Sequence, residues 1–408
     1  MRESFDLIVV GAGMVGAAFA LDVAQRSDLK VALVERSSPL EIDLDNPNSA
    51  QANQRVVALG ARSVSLLDRV GVFSNLRPSQ AHEYQSMMIW DENSYGELTF
   101  NAGEFGEAKL GHMVDALACT KLLQNRAIAF SSPNVRNSDA AKGGNQLICF
   151  FNTNCNDLII DDSGAQLDCG SARLRAPLVV AADGARSWVR QQVGIFSNRF
   201  EYNQLGIVAK IKTSKLHDDC AWQKFLSTGP IAVLPLDDNY SSIVWSASRD
   251  YANDLIALSD GDFQALLGQS LDWKLGEVTE LGPRLAFPLI SQKAQEYVAP
   301  NVALIGDAAH SIHPLAGQGA NLGFKDAQCL SDMLCAARPK DYGSVSFLSR
   351  YQRRRQPDNE QTDWLMSALH RTYQSTDPYL ARLRGTGMNW LNKSGAIKAV
   401  LAEQAMGI

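Results

Sequence analysis

The sequence predicts an α/β protein whose main domain holds a parallel sheet, interleaved with a smaller, largely antiparallel sheet domain and followed by a helical C-terminus. A β-rich apolar run at 5–10, a glycine turn, a helix-compatible segment and a second β-rich run at 30–34 indicate a βαβ unit, which requires parallel strands. Short β-like segments broken by turns occupy 84–100 and 206–245, as expected of an antiparallel sheet. After Gly323 the pattern is helical to the end of the chain.

The chain length argues for two closely packed domains. At 408 residues the protein exceeds the size at which one hydrophobic core usually stops growing. A buried strand is expected at 178–182, after the first of the antiparallel segments, so the two domains are predicted to alternate along the chain. The predicted boundaries assign 1–80, 102–195 and 284–345 to the parallel-sheet domain, 81–101 and 196–283 to the second domain, and 346–408 to the C-terminal helical region.

Composition and charge exclude several classes of protein. A formal net charge of −6 leaves no basic surface for nucleic acid, and the one basic run, 353–355, is expected to be a solvated helix face. The seven cysteines show no CxxC spacing, which argues against a disulfide framework and favours a reducing, cytoplasmic environment. The apolar stretch 7–21 is shorter than the roughly 20 residues that cross a bilayer. Because it also contains glycines and follows acidic residues, we interpret it as a buried strand and helix.

A glycine-rich turn, GAGMVG, begins at Gly11 between the first strand and helix, as in a Rossmann-like dinucleotide-binding fold. In such a turn Gly11 permits the tight bend, Gly13 lets the backbone approach a pyrophosphate, and Gly16 allows close packing of helix and strand. Glu35 ends the second strand 19 residues after Gly16, where a carboxylate can accept hydrogen bonds from ribose hydroxyls, and Arg36 follows it. The motif predicts a dinucleotide site without distinguishing NAD from FAD. A packing turn that binds no ligand is the alternative.

Two later strands each lead into an acidic turn, Asp183-Gly184 after the first and Gly306-Asp307 after the second. A carboxylate at the carboxyl end of a strand can bind a polyol, whereas an ordinary helix N-cap is the alternative for Asp307. Further on, a Gly-Gln-Gly run at 317–319 opens a helix. Its NH groups would point at the electron-rich side of a flavin ring and stabilise negative charge on it.

Together these segments resemble the group A flavin monooxygenases of the para-hydroxybenzoate hydroxylase type, and most closely the ubiquinone-biosynthesis hydroxylases. The likeness covers nearly the whole chain. It includes Arg55 in Gln-Arg-Val-Val-Ala-Leu, the Gly-Pro-Ile-Ala-Val-Leu-Pro-Leu segment that starts at Gly229, and its most specific stretch, His313 to Gly323. One departure is Asp115-Ala116, where relatives usually have Glu-Asn, and this puts one local contact to FAD in question.

The resemblance implies a noncovalently bound FAD. Asp307 is then expected at a ribityl hydroxyl, Arg55 near the pyrophosphate, and Asp183 with Arg190 at both FAD and the incoming NADH or NADPH. Ordinary surface or ion-pair arginines are the alternative for Arg55 and Arg190. The backbone of 314–321 is expected beside the isoalloxazine. The candidate cofactor residues of these later segments are Gly306, Asp307, Pro314, Gly317, Gln318, Gly319, Ala320 and Asn321.

The resemblance further implies an FAD- and NAD(P)H-dependent monooxygenase. NADH or NADPH would reduce FAD, oxygen would give a flavin C4a-hydroperoxide, and this species would hydroxylate an aromatic ring, expected to be a polyprenylated phenol of ubiquinone biosynthesis. Because the flavin carries the chemistry, no catalytic acid or base is nominated. Phe225, Leu234 and Pro235 are candidates for the apolar wall of the substrate site in the second domain, with a plain core role as the alternative.

Other functions remain open at this stage. A related epoxidase or prenyl-lipid reductase would share the flavin fold, whereas a flavin halogenase is disfavoured because no Trp-x-Trp-x-Ile-Pro segment is present. A noncatalytic flavoprotein subunit of a lipid-biosynthesis complex would retain FAD without oxidising NAD(P)H. His310 and His313 are three residues apart, but no further cluster of ligand residues follows them, so no metal site is predicted.

A substrate with a membrane-dwelling tail would bring this protein from the cytoplasm to the periphery of the inner membrane. The segment 390–408 combines Trp390 and aliphatic residues with Lys393 and Lys398, and it could dock on lipid or on a partner subunit. A terminal helix packed on its own domain is the alternative. Besides an aromatic substrate and oxygen, the expected partners are thus a membrane surface, a biosynthetic complex or a second copy of the chain.

Overall fold

The computed structural model describes seven segments of the chain. They comprise residues 2–43, 55–131, 146–170, 172–312, 319–338, 341–374 and 377–406. Within these segments the chain forms four β-sheets and ten α-helices. The predicted α/β class, with a parallel sheet, a largely antiparallel sheet and a helical C-terminus, is confirmed.

A six-stranded sheet forms the centre of the first half of the molecule. Its inner strands are apolar and completely buried, as expected of parallel strands that are covered on both faces. All pairs are parallel except β20 with β21. In spatial order the strands are β20 (Val298–Ala299), β21 (Val302–Leu304), β13 (Val179–Ala181), β2 (Leu7–Val10), β3 (Val31–Val34) and β9 (Leu147–Phe150).

The predicted βαβ unit is confirmed, because α1 (Met14–Arg26) connects the parallel strands β2 and β3. Helices α3 (Ala116–Ser131) and α7 (Gly319–Cys335) pack beside it. Alanines along the buried part of α1 allow this close approach. The buried carboxylate of Asp22 on α1 accepts hydrogen bonds from Arg69 at 2.6 Å and from Ser331 at 2.5 Å, so its charge is compensated.

A nine-stranded sheet forms the second half, and all its pairs are antiparallel except β15 with β6. One face packs on α5 (Arg249–Ala257) and α6 (Asp260–Ser270) around the fully buried Trp245. In spatial order the strands are β22 (His310–Ser311), β19 (Leu285–Ala294), β14 (Ser197–Thr213), β17 (Tyr240–Ser248), β16 (Gly229–Pro235), β15 (Cys220–Leu226), β6 (Ser86–Asp91) and β7 (Glu97–Asn101), while β18 (Val278–Leu281) pairs with β14.

Two smaller sheets, which the sequence did not predict, complete the fold. The four-stranded sheet contains, in order, β1 (Arg2–Ser4), β12 (Arg173–Ala176), β11 (Gly164–Asp168) and β10 (Asp157–Asp161). The three-stranded sheet contains β4 (Val56–Leu59), β8 (Gly111–Asp115) and β5 (Ala81–Tyr84). Met113 of the three-stranded sheet packs with Ala221 and Leu236 of the second half, so this sheet joins the two halves.

The remaining helices surround these sheets. They are α2 (Ala61–Arg69), α4 (Trp188–Gln192), α8 (Val345–Gln374), α9 (Pro378–Lys393) and α10 (Gly395–Met406). Near its C-terminal end α8 packs on the nine-stranded sheet through Met366 and Tyr373. Among the helices of the described segments, none has the length and hydropathy needed to cross a bilayer.

The chain passes repeatedly between the two halves. Strands β6 and β7 of the nine-stranded sheet precede β13 of the parallel sheet, and β21 of the parallel sheet follows β19 of the nine-stranded one. The predicted boundaries stay a proposal. Residues 285–294, which the sequence assigned to the parallel-sheet domain, form β19 and pair with β14 over most of their length. We therefore propose to assign them to the second domain.

Candidate functional site

The glycine turn after β2 has two glycines that packing requires and one that faces open space. Gly11 has φ +105°, and a Cβ there would lie 2.3 Å from the carbonyl oxygen of Ala182. A Cβ on Gly16 would lie 2.0 Å from the carbonyl oxygen of Gly11. Gly13, by contrast, is exposed at the N-terminus of α1, and a Cβ there would have no neighbour within 4 Å. This open space at a helix N-terminus is suited to an anion.

Glu35, at the end of β3, closes over the same turn. Its Oε2 accepts a hydrogen bond from the backbone NH of Ala12 at 2.8 Å, and its Oε1 accepts one from Ser37 at 3.0 Å. The side chain is half-buried, whereas the neighbouring Arg36 is exposed. A carboxylate can accept about four hydrogen bonds in all, so Glu35 keeps acceptor capacity for a ligand hydroxyl.

Asp183 follows β13 and carries an unsatisfied oxygen. Its Oδ2 accepts hydrogen bonds from the NH groups of Trp188 at 2.7 Å and Val189 at 3.1 Å, which begin α4. Its Oδ1 is buried and has no hydrogen-bond partner in the described part of the chain. Burial raises the pKa of Asp183, and a hydrogen bond from Ser187 opposes this. A buried acceptor without a donor is costly, so a ligand hydroxyl at this point would be stabilised.

Arg190 is buried and is committed to the backbone. Its Nη1 donates to the carbonyl oxygen of Ala308 at 2.7 Å, and its Nη2 donates to that of Ala185 at 3.0 Å. These two oxygens belong to the loops that follow β21 and β13, so Arg190 ties the two acidic loops together. Burial lowers the pKa of Arg190, although the negative charge of Asp183 opposes this shift. This placement supports an organising role more directly than contact with NAD(P)H.

Gly306 and Asp307 form a short 3-10 helix after β21. Gly306 has φ +59°, and its NH donates to the carboxylate of Asp326 at 3.1 Å. Asp307 is exposed, and the N-cap of this short helix is Ile305, so Asp307 does not act as an N-cap. Its carboxylate therefore faces solvent at the carboxyl end of the strand.

A buried polar cluster below this loop was not predicted from the sequence, and it includes Arg355, which was expected on a solvated helix face but is buried. Asp326 of α7 accepts hydrogen bonds from Arg355 at 2.8 Å and Asn359 at 3.2 Å, and its Oδ2 lies 2.5 Å from Nε2 of His310. Burial alone would raise the pKa of Asp326, but the charges and hydrogen bonds of His310 and Arg355 lower it overall. Asp326 thus links the Gly306 loop to α7 and α8. No motif marks it, because its partners come from distant parts of the chain.

The start of α7 is anchored to the loop after β4. Asn321 donates to the carbonyl oxygen of Ala58 at 2.8 Å and accepts from the NH of Gly60 at 3.0 Å and the hydroxyl of Ser63 at 2.7 Å. Gly319 and Ala320, just before it, are half-buried. The candidate residues Pro314, Gly317 and Gln318 lie outside the described residues.

Arg55, at the start of β4, is exposed, and its carbonyl oxygen accepts from the NH of Ala116. The departure noted at Asp115-Ala116 has a local structural role, since Oδ1 of Asp115 accepts hydrogen bonds from the NH groups of Leu117 and Ala118 and caps α3.

Another residue that the sequence did not single out is Gln124 of α3. It donates to the carbonyl oxygen of Ala12 at 2.9 Å and so supports the glycine turn.

One face of the nine-stranded sheet lies toward α7 and the three-stranded sheet. Phe225 is buried there and stacks on Tyr373, with ring centroids 3.7 Å apart and an interplanar angle of 12°. Leu234 is half-buried and packs in a separate cluster with Met113. Pairing across the strands places the half-exposed Ala232 and Val244 on the same face, and we call Ala232, Leu234 and Val244 the floor.

The expectation that Phe225, Leu234 and Pro235 form one apolar wall needs correction. Side chains alternate along a strand, and Leu234 and Leu236 share a cluster on the face that carries the floor. Pro235 therefore lies on the opposite face, the one that packs on α5 and α6. Phe225 is covered by Tyr373, so of the three candidates only Leu234 belongs to the half-exposed floor.

The acidic and glycine loops converge because their strands are neighbours. Gly13, Glu35, Asp183 and Asp307 follow β2, β3, β13 and β21, which are adjacent and parallel in one sheet. Their carboxyl ends therefore share one edge, where open α/β sheets bind their ligands. The edge offers a helix N-terminus, three carboxylates and one unsatisfied buried oxygen, a donor set that fits the phosphates and hydroxyls of a dinucleotide.

Comparisons with known proteins agree with this geometry. Residues 4–363 match the family model described as FAD binding domain. The chain is 33% identical over 409 residues to the 3-demethoxyubiquinol 3-hydroxylase of Escherichia coli (strain K12), covering 100% of each. It is 31% identical to the human protein named ubiquinone biosynthesis monooxygenase COQ6, mitochondrial, covering 97% of this chain and 91% of that protein.

Solved structures resemble the fold over nearly the whole chain. PqsL, a probable FAD-dependent monooxygenase from Pseudomonas aeruginosa, superposes with a TM-score of 0.74 at 20% identity, covering 95% of this chain and 100% of PqsL. The p-nitrophenol 4-monooxygenase PnpA from Pseudomonas putida DLL-E4 superposes with a TM-score of 0.73 at 18% identity, covering 99% of this chain and 98% of PnpA. At this level of identity, the likeness concerns the fold.

Proposed function

This chain belongs to the FAD binding domain family, and from that premise we propose that it hydroxylates the aromatic ring of a polyprenylated phenol in ubiquinone biosynthesis. It is a flavoprotein monooxygenase with FAD as cofactor. The proposal rests on four loops, those after β2, β3, β13 and β21, whose polar groups meet at one sheet edge. The chain that carries them aligns over its full length with a ubiquinol hydroxylase.

The residues at that edge suit successive parts of FAD. Glu35 would accept from the ribose of the adenosine, with Arg36 beside it. Gly13 and the N-terminus of α1 would hold the pyrophosphate, and the exposed Arg55 would add a positive charge. Asp307 would accept from a ribityl hydroxyl, and the unsatisfied Oδ1 of Asp183 would accept from a further polar group of the cofactor.

The isoalloxazine would lie near the start of α7. Gly319, Ala320 and Asn321 would bring backbone NH groups to the ring. A role for Pro314, Gly317 and Gln318, which lie outside the described residues, stays a prediction. When bound, FAD supplies the transfer of two electrons from NADH or NADPH and the activation of oxygen. Asn321 and the Asp326 cluster would keep this segment in place, because both connect it to other elements by several hydrogen bonds.

The substrate ring would lie on the floor of the second half. Ala232, Leu234 and Val244 present an apolar, half-exposed surface that can hold an aromatic ring. Tyr373 of α8, stacked on Phe225, would exclude water from one side of this space. Exclusion of water favours productive oxygen transfer over loss of the oxidant as peroxide.

Oxygen consumption with purified FAD-loaded protein tests the proposal. Phenolic and quinol precursors should stimulate NADH or NADPH oxidation coupled to oxygen uptake, and mass spectrometry should detect a product heavier by one oxygen atom. A matched pair of variants sharpens the test. Leu234→Asp should abolish the stimulation, whereas Ile159→Asp, at an exposed site on the distant β10, should not. Absence of stimulation by every precursor would contradict the hydroxylase proposal.

We further propose that the protein works at the cytoplasmic surface of the membrane through α9. Tyr379, Leu383 and Trp390 recur on one side of this helix and are strongly exposed, and Lys393 lies at its end. The following helix packs on its own domain, since Lys398 pairs with Glu104 at 2.5 Å. In this proposal α9 would contact the membrane while α10 packs on its own domain, so both alternatives that the sequence left open would apply.

Flotation with anionic liposomes tests this contact. The full chain should float, and the double variant Leu383→Asp and Trp390→Asp should remain at the bottom of the gradient. As a control, Trp364→Asp changes an equally exposed aromatic residue on α8. Equal flotation of all three proteins would contradict docking through α9.

A further inference from the structure

Two histidines and an aspartate that are distant in the sequence meet at the seam between the two halves. His82 lies on β5, and His217 and Asp219 lie in the turn between β14 and β15. Nε2 of His82 is 2.8 Å from Oδ1 of Asp219, and Nδ1 of His217 is 3.9 Å from the same oxygen. All three potential ligand atoms lie within 4.8 Å of one another. His82 and Asp219 are 137 positions apart, so no sequence motif marks this cluster.

The turn that carries Asp219 has the geometry of a type I′ β-turn. Asp218 and Asp219 both adopt left-handed conformations, with φ +52° and +50°, and the NH of Cys220 donates to the carbonyl oxygen of His217 at 3.0 Å. Aspartate tolerates this conformation, and the turn holds the Asp219 carboxylate beside His82.

The hydrogen bonds of His217 prepare its Nδ1 as a ligand. Its Nε2 lies 2.9 Å from the carbonyl oxygen of Leu236, which can only accept, so Nε2 carries the proton and Nδ1 carries the lone pair. A histidine whose other nitrogen donates to a backbone carbonyl is the usual arrangement at metal sites. The NH of Asp219 donates to Nδ1 at 3.1 Å, and a metal would replace this contact.

We propose that His82, His217 and Asp219 bind one divalent transition-metal ion, with Zn²⁺ as the best match. Bond lengths of about 2.0–2.1 Å place the ligand atoms of a tetrahedral zinc site about 3.3 Å apart, and the spacings found here lie on both sides of that value. Small side-chain rotations close the difference, with the ring of His82 taking the tautomer that frees Nε2. Water supplies the fourth position, since Asp219 is 42% exposed.

The ion would fasten the two halves of the molecule to each other. β5 belongs to the three-stranded sheet, whereas the turn at 217–219 leads into β15 of the nine-stranded sheet. Occupancy would therefore stabilise the seam beside Met113, Leu236 and Tyr84, which pack next to the floor. The role is structural and independent of the proposed hydroxylation.

Metal titration of untagged, FAD-loaded full-length protein tests the site. Calorimetry with Zn²⁺ should show one saturable equivalent, and Co²⁺ should give visible d–d bands without the intense near-ultraviolet thiolate absorption that any of the seven free cysteines would produce. His82→Ala and His217→Ala should each weaken binding at least about tenfold, because even outer contacts of metal ligands are worth that much. Glu83→Gln is the matched control, since this neighbouring carboxylate pairs with Lys109.

The outcomes are distinct. Loss of the Zn²⁺ equivalent in the histidine variants, with retention in Glu83→Gln, supports the site. If His217→Ala fails to fold, the test depends on His82→Ala, because His82 is only half-buried. No saturable binding, unchanged affinity in His82→Ala, or a cobalt spectrum dominated by thiolate would each overturn the proposal.

Discussion

Alanine at Gly13 and alanine at Gly16 should have opposite consequences for stability and for FAD binding. A Cβ on Gly16 would lie 2.0 Å from the carbonyl oxygen of Gly11 and 2.8 Å from Cβ of Ala182, so the turn must shift. A Cβ on Gly13 would meet nothing within 4 Å, and Gly13 has φ −70°, which alanine adopts without strain. Gly16 therefore serves packing, whereas Gly13 leaves room for the cofactor.

The magnitudes follow from these contacts. Overpacking against backbone typically costs about 1–3 kcal/mol, so Gly16→Ala should lower the free energy of unfolding of the apoprotein by that amount. Gly13→Ala should change it by less than about 1 kcal/mol, the cost of an alanine at an N-cap. Its methyl group would instead occupy the approach to the pyrophosphate. Loss of a hydrogen bond to a charged group is worth about 1.5–3 kcal/mol, or roughly 10- to 150-fold in FAD affinity.

Urea unfolding of the apoproteins and FAD titration followed by flavin fluorescence measure the two quantities separately. The wild type and both variants should be compared at one pH and ionic strength. FAD affinity equal to that of the wild type in Gly13→Ala would refute the placement of the pyrophosphate at this turn. A loss of apoprotein stability in Gly13→Ala as large as in Gly16→Ala would refute the packing argument.

Other predictions concern the residues that organise the site. Asp326→Asn should lower the free energy of unfolding at pH 7 by about 1.5–3 kcal/mol in urea titrations, because Arg355 would lose its fully buried carboxylate partner while keeping the more exposed Asp358. The folded-state pKa of Asp326 lies below its ordinary value of 3.8. The stability that its carboxylate contributes should therefore be lost in the wild type as the pH falls below 3.8 and through the folded-state pKa, and the variant should show no such loss. A double-mutant cycle on Phe225→Leu and Tyr373→Leu, read by urea unfolding, should give a coupling of about 0.5–1.5 kcal/mol, and additivity would contradict the stacking. Arg190→Lys should lower apoprotein stability by about 1.5–3 kcal/mol while the KM for NAD(P)H in steady-state assays stays unchanged, whereas a selective rise in that KM would favour direct contact with the nicotinamide cofactor.

Local patterns were sufficient for the parallel sheet and the loops at its edge. The βαβ unit is confirmed, and its apolar run, its glycine turn and its buried helix are each defined by neighbouring residues. Once strands are parallel, their carboxyl ends must share an edge, so Glu35, Asp183 and Asp307 could be grouped from sequence alone. Which of these residues bind FAD stays a prediction.

Register and side-chain direction could not be predicted in the same way. Leu234 and Pro235 are adjacent and both apolar, yet they lie on opposite faces of β16, and only pairing with the neighbouring strands shows which face carries the floor. A slip of one residue would exchange them, and because both residues are apolar the sequence contains little that excludes such a slip.

The sequence by itself determined the fold class, the glycine turn and the acidic ends of the strands, because short-range sterics and hydrophobic periodicity decide these features. Only the tertiary structure decided that Asp326 meets Arg355, that Arg190 ties two loops, and that His82 reaches Asp219. The physical reason is that such contacts join residues far apart along the chain. Their formation depends on how whole sheets and helices pack, which no local pattern encodes.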